Sequence, residues 1–379
     1  MHQAVRQRGF SLIEIMIGLL IGMISVIIVL QVFSRSDSAK RISNSADDAQ
    51  MNALLALNTL EREIRQGGLG FSAFTILGCG LSYTASSDGG AVKLDALAPV
   101  TINPSTTVVP KGDTGTDTLL VISGNTNGSS EGDLTSGEAA AGATSYTITT
   151  PDFFATGERI VAAPASRADT CTLKLATIQG ITGNTLMATP GSDDALPSGS
   201  LIYDLGSAPR IHAYAVRNGN LTVCDYLQYN CGSTSYTNTL NSNVWVPVVA
   251  QVVGLRAQYA RDTSGITGSV SKMTGVVDTY DQTTPGSDAD ASTIPDYCGW
   301  ARIIGVRLAM VGRATHADKD EPTTVSALSW SGSAEADIDI SSLSDWKRYR
   351  YRLLESAVPL RNIIWQGSQT TYQGGDGGC

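Results

Sequence analysis

The chain has 379 residues, only 16% of them charged, and a formal net charge of −9. That balance supplies no basic stripe to neutralise phosphates and argues against a nucleic-acid binder, while the length allows one elongated or two compact domains. Gly, Ser, Thr, Asn and Asp are abundant and aromatics make up 6%, a composition suited to short strands joined by polar turns.

The N-terminus reads "RQRGFSLIEIMIGLLIGMISVIIVLQVF". Ile15 to Phe33 carries no charge and only two polar interruptions, Ser25 and Gln31. As a helix this run spans about 28 Å, close to the ~30 Å hydrocarbon thickness, so residues 15–33 are read as membrane-spanning. Arg6 and Arg8 precede it, which favours retention of the short N-terminus in the cytoplasm and export of the chain beyond Phe33. No small-x-small cleavage site lies after the span, as a conventional signal peptide would require. Glu14 stands out, because a carboxylate at the centre of a spanning helix costs roughly 2.5–3.5 kcal/mol and is usually kept for a reason. Gly18 and Gly22, one turn apart, let helices approach closely.

Proline is absent before Pro99, and from Phe33 to Gln66 the helical period continues in a water-compatible form. Ile42, Ala46, Ala49, Ala53, Leu57, Leu60 and Ile64 form one apolar stripe on which a globular domain would dock. Glu61 and Arg65 make a favourable i,i+4 pair, and "QGGLG" ends the helix. The spacing thus predicts one helix over residues 10–66, about 85 Å long.

Residues 67–379 read as β-rich. "DTLLVISG", "SYTITT", "ERIVAAP", "TLKLATI" and "NTLMAT" are short strands, and "RIHAYAVRNGNLTVCDYL" is a hairpin turning at Asn218-Gly219. Val253, Leu255, Ala257 and Tyr259 alternate onto one face of a strand. Ile304, Val306, Leu308 and Met310 do so in another, with Arg302 and Arg307 on opposite sides, and Arg348, Arg350 and Arg352 alternate against Tyr349, Tyr351 and Leu353. The expectation is antiparallel sheet with one face packed and one wet. Polar inserts occupy 123–144, 262–297 and 315–345, where "DQTTPGSDADAS" and "HADKDEPTT" read as mobile loops.

Six cysteines, none in a C-x-x-C pair, favour disulfides in an oxidising compartment. Cys224 and Cys231 flank a short loop and are the candidate pair; Cys79, Cys171, Cys298 and Cys379 are left unassigned. Asp288 and Asp290 lack the spacing of a calcium loop, so neither metal nor cofactor is expected. There is no phosphate loop, zinc-protease motif or nucleophile elbow, and of the three histidines, His2, His212 and His316, the last two read as structural or solvated. The chain is expected not to be an enzyme.

The basic leader 1–9, then Gly9, Phe10 and Glu14 ahead of a single apolar run, resembles the processing site of type IV prepilins. "TLEREIRQGGLGF", Cys79, "TDTLLVI" and "LLESAVPLRN" extend the resemblance to the PilW family of minor pilins. The resemblance implies an α+β type IV pilin fold, its long N-terminal helix packed on an antiparallel β-rich domain. It also implies cleavage between Gly9 and Phe10 by a prepilin peptidase, and methylation of the new amine. That amine would serve as counter-ion to Glu14 of a neighbouring subunit; the alternatives are a Glu14 near the headgroups or paired within its own chain. Implied partners are other minor and major pilins, the inner-membrane assembly platform and an adhesin-like tip protein. The implied location is the inner membrane with a periplasmic domain, then the pilus. Two other readings stand: a minor pseudopilin of a type II secretion system, and a membrane-anchored periplasmic hydrolase or binding protein.

Overall fold

The computed structural model describes residues 11–363, apart from 74–75, 127, 129–130, 168–170, 237–241, 265–272, 286–295, 333 and 335–336. Gly9, Phe10, Asp288, Asp290 and Cys379 therefore lie outside the described residues, as does the side chain of Ile42.

A single helix, α1 (Leu12–Gln66), runs for 55 residues, about 82 Å at the α-helical rise. Strands follow in the order β1 (Gly80–Thr84), β2 (Ala91–Leu94), β3 (Val100–Ile102), β4 (Leu119–Ser123), β5 (Asp133–Leu134), β6 (Ser145–Thr147) and β7 (Arg159–Ala163). Next come β8 (Thr172–Thr182), β9 (Thr185–Thr189), β10 (Leu201–Gly206), β11 (Arg210–Arg217), β12 (Asn220–Asp225), β13 (Val246–Ala250), β14 (Val252–Arg261) and β15 (Thr279–Asp281). After a short helix α2 (Asp296–Ala301), the chain ends in β16 (Ile303–Arg313), β17 (Ala327–Leu328), β18 (Ile338–Asp339) and β19 (Tyr351–Pro359).

Three larger sheets result. One has the order β2-β1-β8-β7-β10-β5 with β9 and β6 added at β8; the second is β13-β12-β11-β4-β3; the third is β15-β14-β16-β19. Pairing is antiparallel with one described exception: β1 runs parallel to β8, with Leu81 opposite Leu173. Parallel neighbours need a long crossover, which the chain between the two strands supplies. A disulfide, Cys79–Cys171, joins the residues just before these strands. A second bridge links Cys224 to Cys231, and Cys298 is disulfide-bonded as well. The Asn218-Gly219 turn closes the β11–β12 hairpin, both residues at positive φ as a two-residue turn demands.

The expected wet face of the third sheet is covered over much of its area, while Glu355, Ala357 and Pro359 on β19 stay exposed. Leu255, Ala257 and Tyr259 face the main core with Ile304, Val306, Leu308 and Met310, but Val253 packs on the opposite side with Ala309, Val311, Trp330 and Ile338. A register shift between Val252 and Gly254 reverses the alternation there. The cover on that second side comes from the insert 315–345, whose β17–β18 hairpin carries Ile338 and whose Trp330 is buried. Its first part, His316 to Glu321, and its last, 341–345, are the mainly exposed loop the sequence suggests. Arg307 lies 3.9 Å above the Tyr280 ring, and the buried Arg302 donates to the Asp262 and Ser264 carbonyls at 2.9 and 3.0 Å.

Between the second and third sheets sits a buried carboxylate, Asp117. It accepts from Arg256 (3.0 Å), the Ala257 amide (2.9 Å), Gln282 (2.7 Å) and Asn103 (3.0 Å). Four donors fill the acceptor sites of an ionised carboxylate, which makes its burial tolerable.

The second half of α1 lies on β16 and β19. Ala49, Ala53, Ala56, Leu57, Leu60 and Ile64 are buried there, with Ala56 added to the stripe read from sequence and Ala46 at its edge only partly covered. Small residues allow the helix to come close, and Gly312 on β16 makes the approach possible. A β-carbon at Gly312 would collide with the Ala49 carbonyl oxygen and stand 2.7 Å from the Ala53 nitrogen. Gly312→Ala should therefore lower unfolding stability by about 1–3 kcal/mol, as overpacking does. Chemical denaturation of the detergent-solubilised chain measures this, and an unchanged midpoint would contradict the close-approach account.

Candidate functional site

The first half of α1 contrasts with the second. From Leu12 to Ser36 the helix is long and apolar enough to cross a membrane, and none of it is buried against the domain. Leu12, Leu19, Met23, Leu30 and Phe33 are each more than 60% exposed. Burying such surface is favourable wherever lipid or another apolar helix is offered. Ser25 satisfies its hydroxyl on the Ile21 carbonyl at 2.8 Å, so it does not break the apolar character.

Glu14, Gly18 and Gly22 recur at intervals of four and so lie along one side of this half. No heavy atom comes within 4 Å of the place where a β-carbon would stand on either glycine, which leaves an open notch for a neighbouring helix. Glu14 is exposed at the third helical position. Its carboxylate lies 3.4 Å from the Ser11 amide, while the Glu14 amide donates to the Ser11 carbonyl at 3.0 Å. The carboxylate reaching back to the N-cap amide is the glutamate half of a capping box, and the positive end of the helix dipole adds to it. In the isolated chain Glu14 thus serves its own helix end. Cys224 and Cys231 sit apart from this surface, at the end of β12.

At the other end α1 is locked to the domain by polar contacts that sequence reading did not single out. Asn362, just beyond β19, donates to the Gln66 and Gly67 carbonyls at 3.1 and 3.0 Å, satisfying the helix terminus. Arg210 donates to Gln66 at 2.7 Å, and His212 Nδ1 lies 3.2 Å from Glu63 Oε2. Alternation along "RIHAYAV" places Arg210 and His212 on one face of β11, but nothing in the sequence says that Glu63 meets them. A second missed feature is the outward side of the docked half. Met51, Leu54 and Leu55 are 64%, 42% and 52% exposed, forming an apolar patch out of phase with the docked stripe. Its i, i+3, i+4 spacing was the available signal.

Comparison with known proteins gives two family matches. Residues 214–362 match the family described as Type IV Pilus-assembly protein W, and residues 5–30 match the prokaryotic N-terminal methylation motif. The first range runs from within β11 through β19 and contains β16 and β19, on which the second half of α1 chiefly lies; the second covers most of the exposed apolar half. No match is found among curated proteins. A solved structure, the Gp54 tailspike of Acinetobacter baumannii bacteriophage AP22 in complex with A. baumannii capsular saccharide, is 11% identical. It covers 19% of this chain and 14% of the tailspike chain at a TM-score of 0.17, too little to bear on fold.

Burial acts to raise the Glu63 carboxyl, but the hydrogen bond and charge of His212, with Arg210 and Arg62, outweigh it and hold the group below its ordinary value. Stability from a depressed carboxyl is complete above the unfolded pKa and is lost as pH falls through the folded one. Glu63→Gln should therefore lower stability near neutrality and flatten its decline on acidification below about pH 4.5. Urea midpoints of wild type and variant across roughly pH 3 to 7 measure this, and parallel curves would contradict it.

Proposed function

The matches over residues 5–30 and 214–362 support a minor pilin of the type IV pilus, of the PilW family, and from that premise we propose that the chain helps to start or cap a pilus. In this reading a prepilin peptidase cuts between Gly9 and Phe10 and the new amine is methylated. Phe10 then begins a helix held in the inner membrane, with the β domain on the periplasmic side. Assembly moves the apolar half from lipid contacts to contacts with other pilins, and the domain ends at or near the pilus tip. The proposed partners are the other minor and major pilins, the assembly platform and a tip adhesin-like protein.

The observation that carries the proposal is the bare half of α1: an exposed apolar surface with Glu14, Gly18 and Gly22 along one side. In a filament core an unpaired carboxylate is penalised, whereas one facing a neighbour's Phe10 amine is tolerated. The free chain keeps Glu14 on its own Ser11 amide, so it would exchange a weak local contact for an ion pair when subunits meet in correct stagger. Met51, Leu54 and Leu55 would extend the packing surface beyond the membrane-spanning stretch.

Two substitutions separate the charge from the cap. Glutamine keeps the capping-box geometry and removes the charge, whereas alanine removes both. Glu14→Ala and Glu14→Gln should each insert and be processed, as read by intact mass with and without the prepilin peptidase, yet fail to support piliation in a strain lacking the wild-type chain. Normal pili with Glu14→Gln would reduce Glu14 to a helix cap. Retention of residues 1–9 beside an active peptidase would remove the pilin reading itself.

A further inference from the structure

The sequence holds six cysteines, and two bridges account for four of them: Cys79 with Cys171 and Cys224 with Cys231. Cys298 is disulfide-bonded as well, and no cysteine among the described residues is free. A sulfur takes part in one disulfide at a time, so the four cysteines already paired are closed to Cys298. Within this chain that leaves Cys379.

Strand register puts Cys298 within reach of the chain that follows β19. Cys298 lies in α2, buried in the main core together with Trp300 and Ala301. Its carbonyl accepts from the Arg302 amide at 3.1 Å, and β16 begins at the next residue. β19 finishes at that same end of the third sheet. Pro359 stands opposite Gly305, and the Leu360 amide donates to the Ile304 carbonyl at 2.9 Å. The chain beyond Ile363 therefore sets out from the end of the sheet where Cys298 sits. Residues 364–379 can span about 50 Å when extended, so length is no bar to a bridge. Gly377 and Gly378 precede Cys379 and place no side chain in the way of a close approach. A thiol from a second chain would have to reach into the core to meet Cys298, whereas the chain's own tail can be laid there as the domain folds.

We infer that Cys298 and Cys379 form a third disulfide, which closes a ring around β16, β17, β18 and β19. The bond forms by thiol–disulfide exchange with a protein disulfide oxidant. The new S–S bond is made as the oxidant's own is broken, and the two hydrogens leave on the oxidant as a dithiol. The ring holds both strands on which α1 chiefly lies. β19 is an edge strand of the third sheet, and Asn362 just beyond it holds the end of α1. Closing the ring restricts the unfolded chain over this whole region, which stabilises the platform for the helix even though the tail itself has slack. The inference rests on an oxidising location for the domain and not on what the domain assembles with.

The test is peptide mapping by mass of the full chain, exported in cells, solubilised in detergent and alkylated before digestion. A linked pair of peptides carrying Cys298 and Cys379 should appear and come apart on reduction, as should the pairs that carry Cys79 with Cys171 and Cys224 with Cys231. Cys379→Ser should leave one thiol in each chain, at Cys298, that reacts with a maleimide in urea, and should shift the urea midpoint downward. The map of the wild-type chain decides the matter even if that variant folds poorly. The inference is overturned if Cys298 of the wild-type chain is alkylated without reduction, if it is linked to any cysteine other than Cys379 of its own chain, or if it stays bridged in Cys379→Ser.

Discussion

The structure depends on how closely α1 can lie on β16. The docked stripe begins with Ala49 and Ala53, and the strand answers with Gly312, so backbone meets backbone where larger side chains would hold the elements apart. Further along, Leu57, Leu60 and Ile64 take over and merge with the main core. The interface is thus narrow at one end and broadly apolar at the other. The third sheet lies directly under the helix, and the second reaches it through β4, β13 and the β11 side chains at Glu63.

Polar groups fix what apolar packing alone would leave adjustable. Asp117 draws donors from β14, from the chain after β15 and from the loop after β3, which sets the second sheet against the third in a single register. Asn362 plays a comparable part at the helix end, since the last strand can hold the Gln66 and Gly67 carbonyls only when β19 is fully paired with β16. Satisfied buried polar groups of this kind specify one arrangement, because each alternative leaves a donor or acceptor unmet.

Much of this was legible in the sequence, and the reasons are local. The apolar run, the alanine and leucine stripe, the glycine stop and the Asn218-Gly219 turn are set by residues near one another in the chain, so spacing reveals them. The cover on the second face of the third sheet was not, because alternation predicts which side chains share a face but not what later covers it. The reversal at Val253 was hidden for the same reason: a bulge is a property of the pair of strands. Glu63 meets Arg210 and His212 across nearly 150 residues, a distance over which no periodicity speaks. Within the candidate site, the notch and Glu14 were readable, whereas the capping contact of Glu14 depended on the geometry of Ser11.

The bare half of α1 leaves the domain at the narrow end of the docked interface, whereas the chain enters the domain proper only after Gly67, at the broad end. Tension applied to a subunit held by its N-terminal rod would therefore run along the contact with β16 and β19 and strain it in shear. The small-residue end at Ala49 would feel the load first, and the leucine-rich end and its Asn362 clamp would resist last. Such a layout suits a part that must transmit a pull without letting its body peel away from its stem.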